Sequence, residues 1–101
     1  MTTKYRKTQL VIVAEAALEK ALVRDACALG AQGWTVVDVR GAGREGVREG
    51  AWEADRTIEL KLICDEAVAD AIAEQVMARY AADYSVSLTF SEVRVLRPDR
   101  F

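Results

Sequence analysis

The sequence predicts an α+β fold, a ferredoxin-like βαββαβ sandwich with an extra short C-terminal strand and one long loop. Three observations carry this. Apolar residues alternate with polar ones, or form short β-branched runs, in segments of strand length; in two other segments they recur at steps of three and four, as a helix face requires. The two kinds of segment follow one another as β-α-β, loop, β-α-β. At 101 residues and 51% hydrophobic, the chain can bury one core, so residues 1–101 make a single domain.

Residues 1–7 are polar and basic and lead loosely into the first strand, the run Leu10–Val13. From Glu15 the period changes, and Leu18, Ala21, Leu22, Ala26 and Leu29 share one helical face. Glu15 and Glu19 lie early in this helix, Lys20 and Arg24 later, in the order that suits its dipole, and Gly30 ends it. Strand character returns at Trp34–Val39. After the loop, Thr57–Cys64 alternates, with Ile58, Leu60 and Leu62 inward and Glu59 and Lys61 outward. Asp65 is placed to N-cap a second helix with the stripe Val68, Ala71, Ile72, Val76 and Tyr80. Ser85–Phe90 alternates again, with Val86, Leu88 and Phe90 inward, and a short strand Val93–Leu96 precedes Pro98. The outward positions Thr35, Val37, Glu59, Lys61, Ser85, Ser87 and Thr89 are mixed in character, which fits either a subunit interface or a solvated face.

The loop begins at Gly41. Four of the six glycines fall at Gly41, Gly43, Gly46 and Gly50, with Arg44 and Arg48 among them and no apolar period. The segment reads as a long mobile loop. Glycine amides can converge on an anion and a guanidinium adds charge and forked donors, so the loop is either an anion-binding element or a solvated connection.

Composition excludes several function classes. A net charge of −2 leaves no basic excess for general nucleic-acid binding, and the outward strand positions carry no aromatics on which bases could stack. With no histidine and only two cysteines, Cys27 and Cys64, neither imidazole catalysis nor a metal cluster of the usual spacing is expected, and both cysteines read as small core residues. No apolar run of membrane-spanning length and no signal peptide is present, so a cytoplasmic protein is expected.

Over nearly its whole length the chain resembles the PII signalling superfamily, through LVIVAEAALEKAL, GAQGWTVVDVRGAGREGVREGAW and DYSVSLTFSEVRVL. The most specific piece runs from Gly33-Trp34-Thr35-Val36-Val37-Asp38-Val39 to Gly41-Ala42-Gly43-Arg44. The resemblance implies a homotrimer with adenine nucleotides in the clefts between subunits, and it makes the loop at about 41–56 the T-loop that docks onto targets. Three departures narrow it. No tyrosine lies between Gly41 and Thr57, so the uridylylation of nitrogen-regulating members is not expected. Glu45 stands where those members have a glutamine, which argues against sensing 2-oxoglutarate, and Tyr80-Ala81-Ala82-Asp83-Tyr84 replaces a lysine-bearing Gly-rich phosphate loop, which weakens discrimination between ATP and ADP. What remains is similar to the PII-like proteins of inorganic-carbon uptake, the carboxysome-associated group and the bicarbonate-transporter regulator. The chain ends RPDRF in place of the latter's cysteine-bearing tail, which favours the former.

The resemblance implies a non-catalytic sensor of ADP or AMP, with ATP or cyclic AMP as further candidates, no covalent cofactor and no metal. It would signal inorganic-carbon and energy status through the T-loop to a target such as a membrane bicarbonate transporter, which could recruit it to the membrane. Its nucleotide site is expected at Thr35, Ile63, Gly41, Gly43, Arg44 and Arg48, with Arg97 and Arg100 as further phosphate ligands and Arg44 and Arg48 as the candidates for bicarbonate. For each arginine the alternative is a solvated surface charge, and Trp52 is either a T-loop anchor or a packing residue. Two other classes stay open: a trimeric metal-tolerance-like protein, and a small ferredoxin-like enzyme using Asp38 or Glu59, although Asp38 also suits a role in supporting the loop base.

Overall fold

The computed structural model describes residues 1–43, 46–48 and 56–101. Its elements in chain order are β1 (Tyr5–Glu15), a 3-10 turn (Ala16–Leu18), α1 (Glu19–Ala28), β2 (Thr35–Val39), β3 (Gly41–Gly43), β4 (Gly46–Arg48), β5 (Thr57–Cys64), α2 (Glu66–Tyr80), β6 (Ser87–Val95) and a second 3-10 turn (Pro98–Arg100). Four strands form one antiparallel sheet in the order β2-β5-β1-β6, and β3 and β4 pair separately as a hairpin. The ferredoxin-like sandwich is therefore the observed architecture.

Alternation builds the core. Leu10, Ile12 and Ala14 of β1 and Ile58, Leu60, Leu62 and Cys64 of β5 are buried, and all but Ile58 cluster with Leu18, Leu22 and Ala26 of the first helical segment and Ala69, Ile72 and Val76 of α2. The register lines Val36, Leu60, Ile12 and Leu88 across the sheet in one row, so four strands present one apolar face to the helices. The opposite face is more open, with Val37 and Tyr5 exposed and Glu59 and Lys61 paired at 3.7 Å.

Two strand expectations are corrected. β1 starts at Tyr5 because its first residues pair with β6, from Tyr5↔Val95 onward, and this puts one aromatic on a strand position. For the same reason no separate C-terminal strand exists among the described residues: the extended β1 offers a continuous ladder, and β6 runs unbroken through the residues between the two expected strands. Phe90 was expected to face the core and instead keeps 48% of its surface exposed, because β6 is a sheet edge and Phe90 lies near the first turns of α2 beside Glu66 and Asp70.

The helix ends follow local chemistry. Gly30 holds φ +117°, the only positive φ among the described residues, and the Gly30 amide donates to the Cys27 carbonyl (3.2 Å) and the Ala31 amide to that of Ala26 (3.0 Å). That pattern satisfies the last carbonyls of α1. Asp65 occupies the N-cap of α2, but its side chain does not cap the helix. It accepts instead from Lys7 Nζ at 2.7 Å, where both donor and acceptor carry full charge.

Only Cys64 is a core residue; Cys27 is exposed, since it lies on the far side of α1 from Leu22 and Ala26. Burial, with Asp65 nearby, pushes the Cys64 thiol above its ordinary value. Alkylation at neutral pH is expected to modify Cys27 alone in the folded protein and both thiols in denaturant, as read by mass spectrometry. Equal labelling of both in the folded state would contradict the placement of Cys64.

Candidate functional site

The residues expected to bind a ligand fall into two clusters at opposite ends of β2. β2 is a sheet edge, paired only with β5, so one of its sides offers unpaired backbone groups. At its start, exposed Thr35 pairs with Lys61, and half-buried Ile63 follows two residues on along the same face of β5. Nearby, Arg97 and Arg100 help line an open depression of about 630 Å³ with Gln32, Gly33, Leu96 and Phe101. The turn at Pro98–Arg100 creates this depression by folding the tail back, with the Phe101 amide donating to the Pro98 carbonyl at 3.2 Å. Gly33 adds room, because a Cβ there would meet nothing within 4 Å.

At the other end lie Gly41 and Gly43 in β3, with Gly41 paired to Arg48 of β4. The segment expected as irregular loop thus holds a short hairpin at 41–43 and 46–48. Gly41 does not use positive φ; its contribution is open space, since a Cβ there would also meet nothing within 4 Å. Arg44, Glu45 and Trp52, and the side chain of Arg48, lie outside the described residues. The rise from Thr35 to Val39 is about 13 Å, so one ligand touching both clusters must lie along the β2 edge.

Two features escaped the sequence reading. The first is the base of the loop, where Arg56 Nη2 donates to Asp38 Oδ1 at 2.6 Å and the Arg56 carbonyl accepts from the Ala16 amide at 2.9 Å. Asp38 therefore supports the loop base, and the partner that the sequence does not show is Arg56. The second is Asp25, a carboxylate on the buried stripe of α1 at 3% exposure. It accepts from the Tyr80 hydroxyl at 2.6 Å and from Arg79 Nη1 at 3.0 Å, tying α1 to the end of α2. The hydrogen bond to Asp25, with burial adding, raises the Tyr80 phenol above its ordinary value. Asp25 sits three residues after Leu22 and one before Ala26, so the stripe itself marked it as buried and in need of donors. Among the described residues, no group of three or more histidine, cysteine, aspartate or glutamate side chains could hold a metal ion, and no helix is long and apolar enough to cross a membrane.

Residues 7–100 match the family described as nitrogen regulatory protein P-II. The chain belongs to that family. Among solved structures, this PII chain is similar over its full length to a PII-like signalling protein of Thermus thermophilus, at 34% identity, 99% coverage of that chain and a TM-score of 0.85. Its fold is shared with CPII of Thiomonas intermedia bound to ADP, AMP and bicarbonate, at 24% identity, covering 100% of this chain and 98% of that one, TM-score 0.89. The fold extends to GlnK of B. subtilis at 13% identity, covering 96% and 100%, TM-score 0.69. No curated protein matches the sequence.

Proposed function

We propose that this PII chain is a non-catalytic, homotrimeric sensor that binds ADP or AMP together with bicarbonate and reports the state of inorganic carbon and energy through its T-loop. The observation that carries the reading is the flanking of one edge strand, open on its outer side, by two anion-suited clusters, Arg97 and Arg100 at one end and the Gly41–Gly43 hairpin at the other. Such an edge suits a cleft between subunits, with the adenine against Thr35 and Ile63 and the phosphates reaching toward the glycine amides, Arg44 and Arg48. The ligands of CPII, which shares the fold, give the reading its chemical identity. The subgroup is that of carboxysome-associated and transporter-regulating proteins, the T-loop target is a membrane bicarbonate transporter, and the protein is cytoplasmic until that target recruits it. Ligand and target are linked reciprocally: a nucleotide that favours docking binds more tightly when the target is present.

The test is calorimetric titration of the purified protein with AMP, ADP, ATP and cyclic AMP, each with and without bicarbonate. Micromolar binding of AMP or ADP, altered by bicarbonate, is the expected result, and absence of binding by all four removes the nucleotide half of the proposal. Arg48→Ala is expected to weaken nucleotide binding about ten-fold while light scattering still gives a trimer mass. Unchanged affinity would take Arg48 out of the site.

A further inference from the structure

The rim of the depression at Gln32 and Gly33 belongs to no helix or strand, since α1 ends at Ala28 and β2 starts at Thr35. What holds it is the last turn of α1. The Asp25 carbonyl accepts the Leu29 amide at 3.1 Å, the Cys27 carbonyl that of Gly30 at 3.2 Å and the Ala26 carbonyl that of Ala31 at 3.0 Å, which brings the bonding up to the residue before Gln32. The rim therefore goes where the end of α1 goes, and α2 fixes that end at two points. A Cβ at Gly30 would stand 3.4 Å from Val68 Cγ2, so the reversal lies against the start of α2. At the other end of α2, the Tyr80 hydroxyl donates to Asp25 Oδ2 at 2.6 Å and Arg79 Nη1 to Oδ1 at 3.0 Å, with Arg24 Nε at 3.5 Å from Oδ1. The two points differ in kind. Val68 packs without direction, whereas a carboxylate shared by a phenol and a guanidinium accepts a narrow range of angles. Asp25 also takes a place on the stripe between Leu22 and Ala26, both buried, where an apolar side chain would serve packing alone. A buried polar pair adds little net stability over a well-packed apolar one; what it adds is one defined arrangement.

We infer that Asp25 and Tyr80 are positioning residues for the ligand depression: through the last turn of α1 they set where the Gln32–Gly33 rim stands opposite Arg97 and Arg100. Neither residue lines the depression, so their effect on a ligand passes through the rim. The same turn also leads into the start of β2 at Thr35. The inference rests on the proposed reading in taking ADP as the ligand of that depression.

The test replaces both members of the pair in the full chain, so that neither polar group is left stranded. Asp25→Leu combined with Tyr80→Phe keeps apolar filling on both sides, and its midpoint of urea denaturation is expected to stay close to that of the wild type. Hydrogen–deuterium exchange of the amides at 29–34 should speed up about ten-fold, and ADP binding by calorimetry should weaken about three- to ten-fold. Asp25→Asn keeps an acceptor for the Tyr80 hydroxyl and should hold most of the wild-type affinity and protection. Tyr80→Phe alone, which removes only the hydroxyl, should move both readouts in the same direction by less. The inference is overturned if the double variant binds ADP as tightly as the wild type, or if its exchange rises evenly along the whole chain, which marks lost stability and not a lost position. Faster exchange confined to 29–34 in a protein that takes up no ADP would sink the proposed nucleotide function and leave the control of the rim by Asp25 and Tyr80 standing.

Discussion

Asp25→Ala is expected to lower the unfolding free energy by about 2–3 kcal/mol, read as a shift in the midpoint of urea denaturation. The carboxylate is buried on α1, and it accepts the Tyr80 hydroxyl at 2.6 Å and Arg79 at 3.0 Å. Truncation strands the phenol without its acceptor and uncouples the two helices, while Arg79, half exposed, recovers hydration. Tyr80→Phe tests the same clamp from the other side, at about 1–2 kcal/mol. The phenol's pKa is raised in the folded protein by its bond to Asp25. Its contribution is therefore fully present below the unfolded tyrosine value of about 10 and lost as pH rises through the higher folded value. The gap in stability between wild type and Tyr80→Phe should be level at neutral pH and shrink above about pH 10. A gap that stays level through that range would show that the hydroxyl contributes through packing alone.

Replacing both Arg97 and Arg100 by alanine is expected to weaken ADP binding by about 100-fold or more, since a hydrogen bond to a charged group contributes about 1.5–3 kcal/mol. Both side chains are exposed and line the depression beside Gln32 and Gly33, so their loss removes charge without opening the core. The discriminating measurement is the pair of titrations with ADP and with adenosine. Phosphate contacts require a large loss for ADP and little for adenosine. Equal losses would place the arginines against the base or in assembly, and no loss would return them to the solvated surface.

The parts of the fold that the sequence made legible are those where one physical signal acts alone. Alternation in Thr57–Cys64 needs only a covered face, and β5 appears with those bounds. Gly30 was legible as a stop because its conformation is closed to other residues at little cost. Legibility failed where pairing decides. Whether Tyr5–Lys7 joins β1 depends on its pairing with Val93–Val95, and whether Ser91–Glu92 interrupts β6 depends on their pairing with Gln9 and Thr8, which none of these stretches reveals by itself. Asp65 carried the chemistry of a cap, and a lysine 58 positions away took its side chain instead. The site divides in the same way. Glycine spacing and arginines pointed to the two ends of β2, whereas the meeting of Asp38 with Arg56 across the loop, and of Asp25 with Tyr80 across two helices, are tertiary events between residues that look ordinary in their own neighbourhoods.

The exposure of Cys27 has a practical side. Its thiol is the one on the surface, and it sits at the end of α1, separated from Gln32 only by the last residues of the helix and the reversal at Gly30. A single environment-sensitive fluorophore could therefore be attached without engineering, a short chain length from the rim of the arginine-lined depression. The native protein carries its own reporting position, and occupancy could be followed in real time by emission.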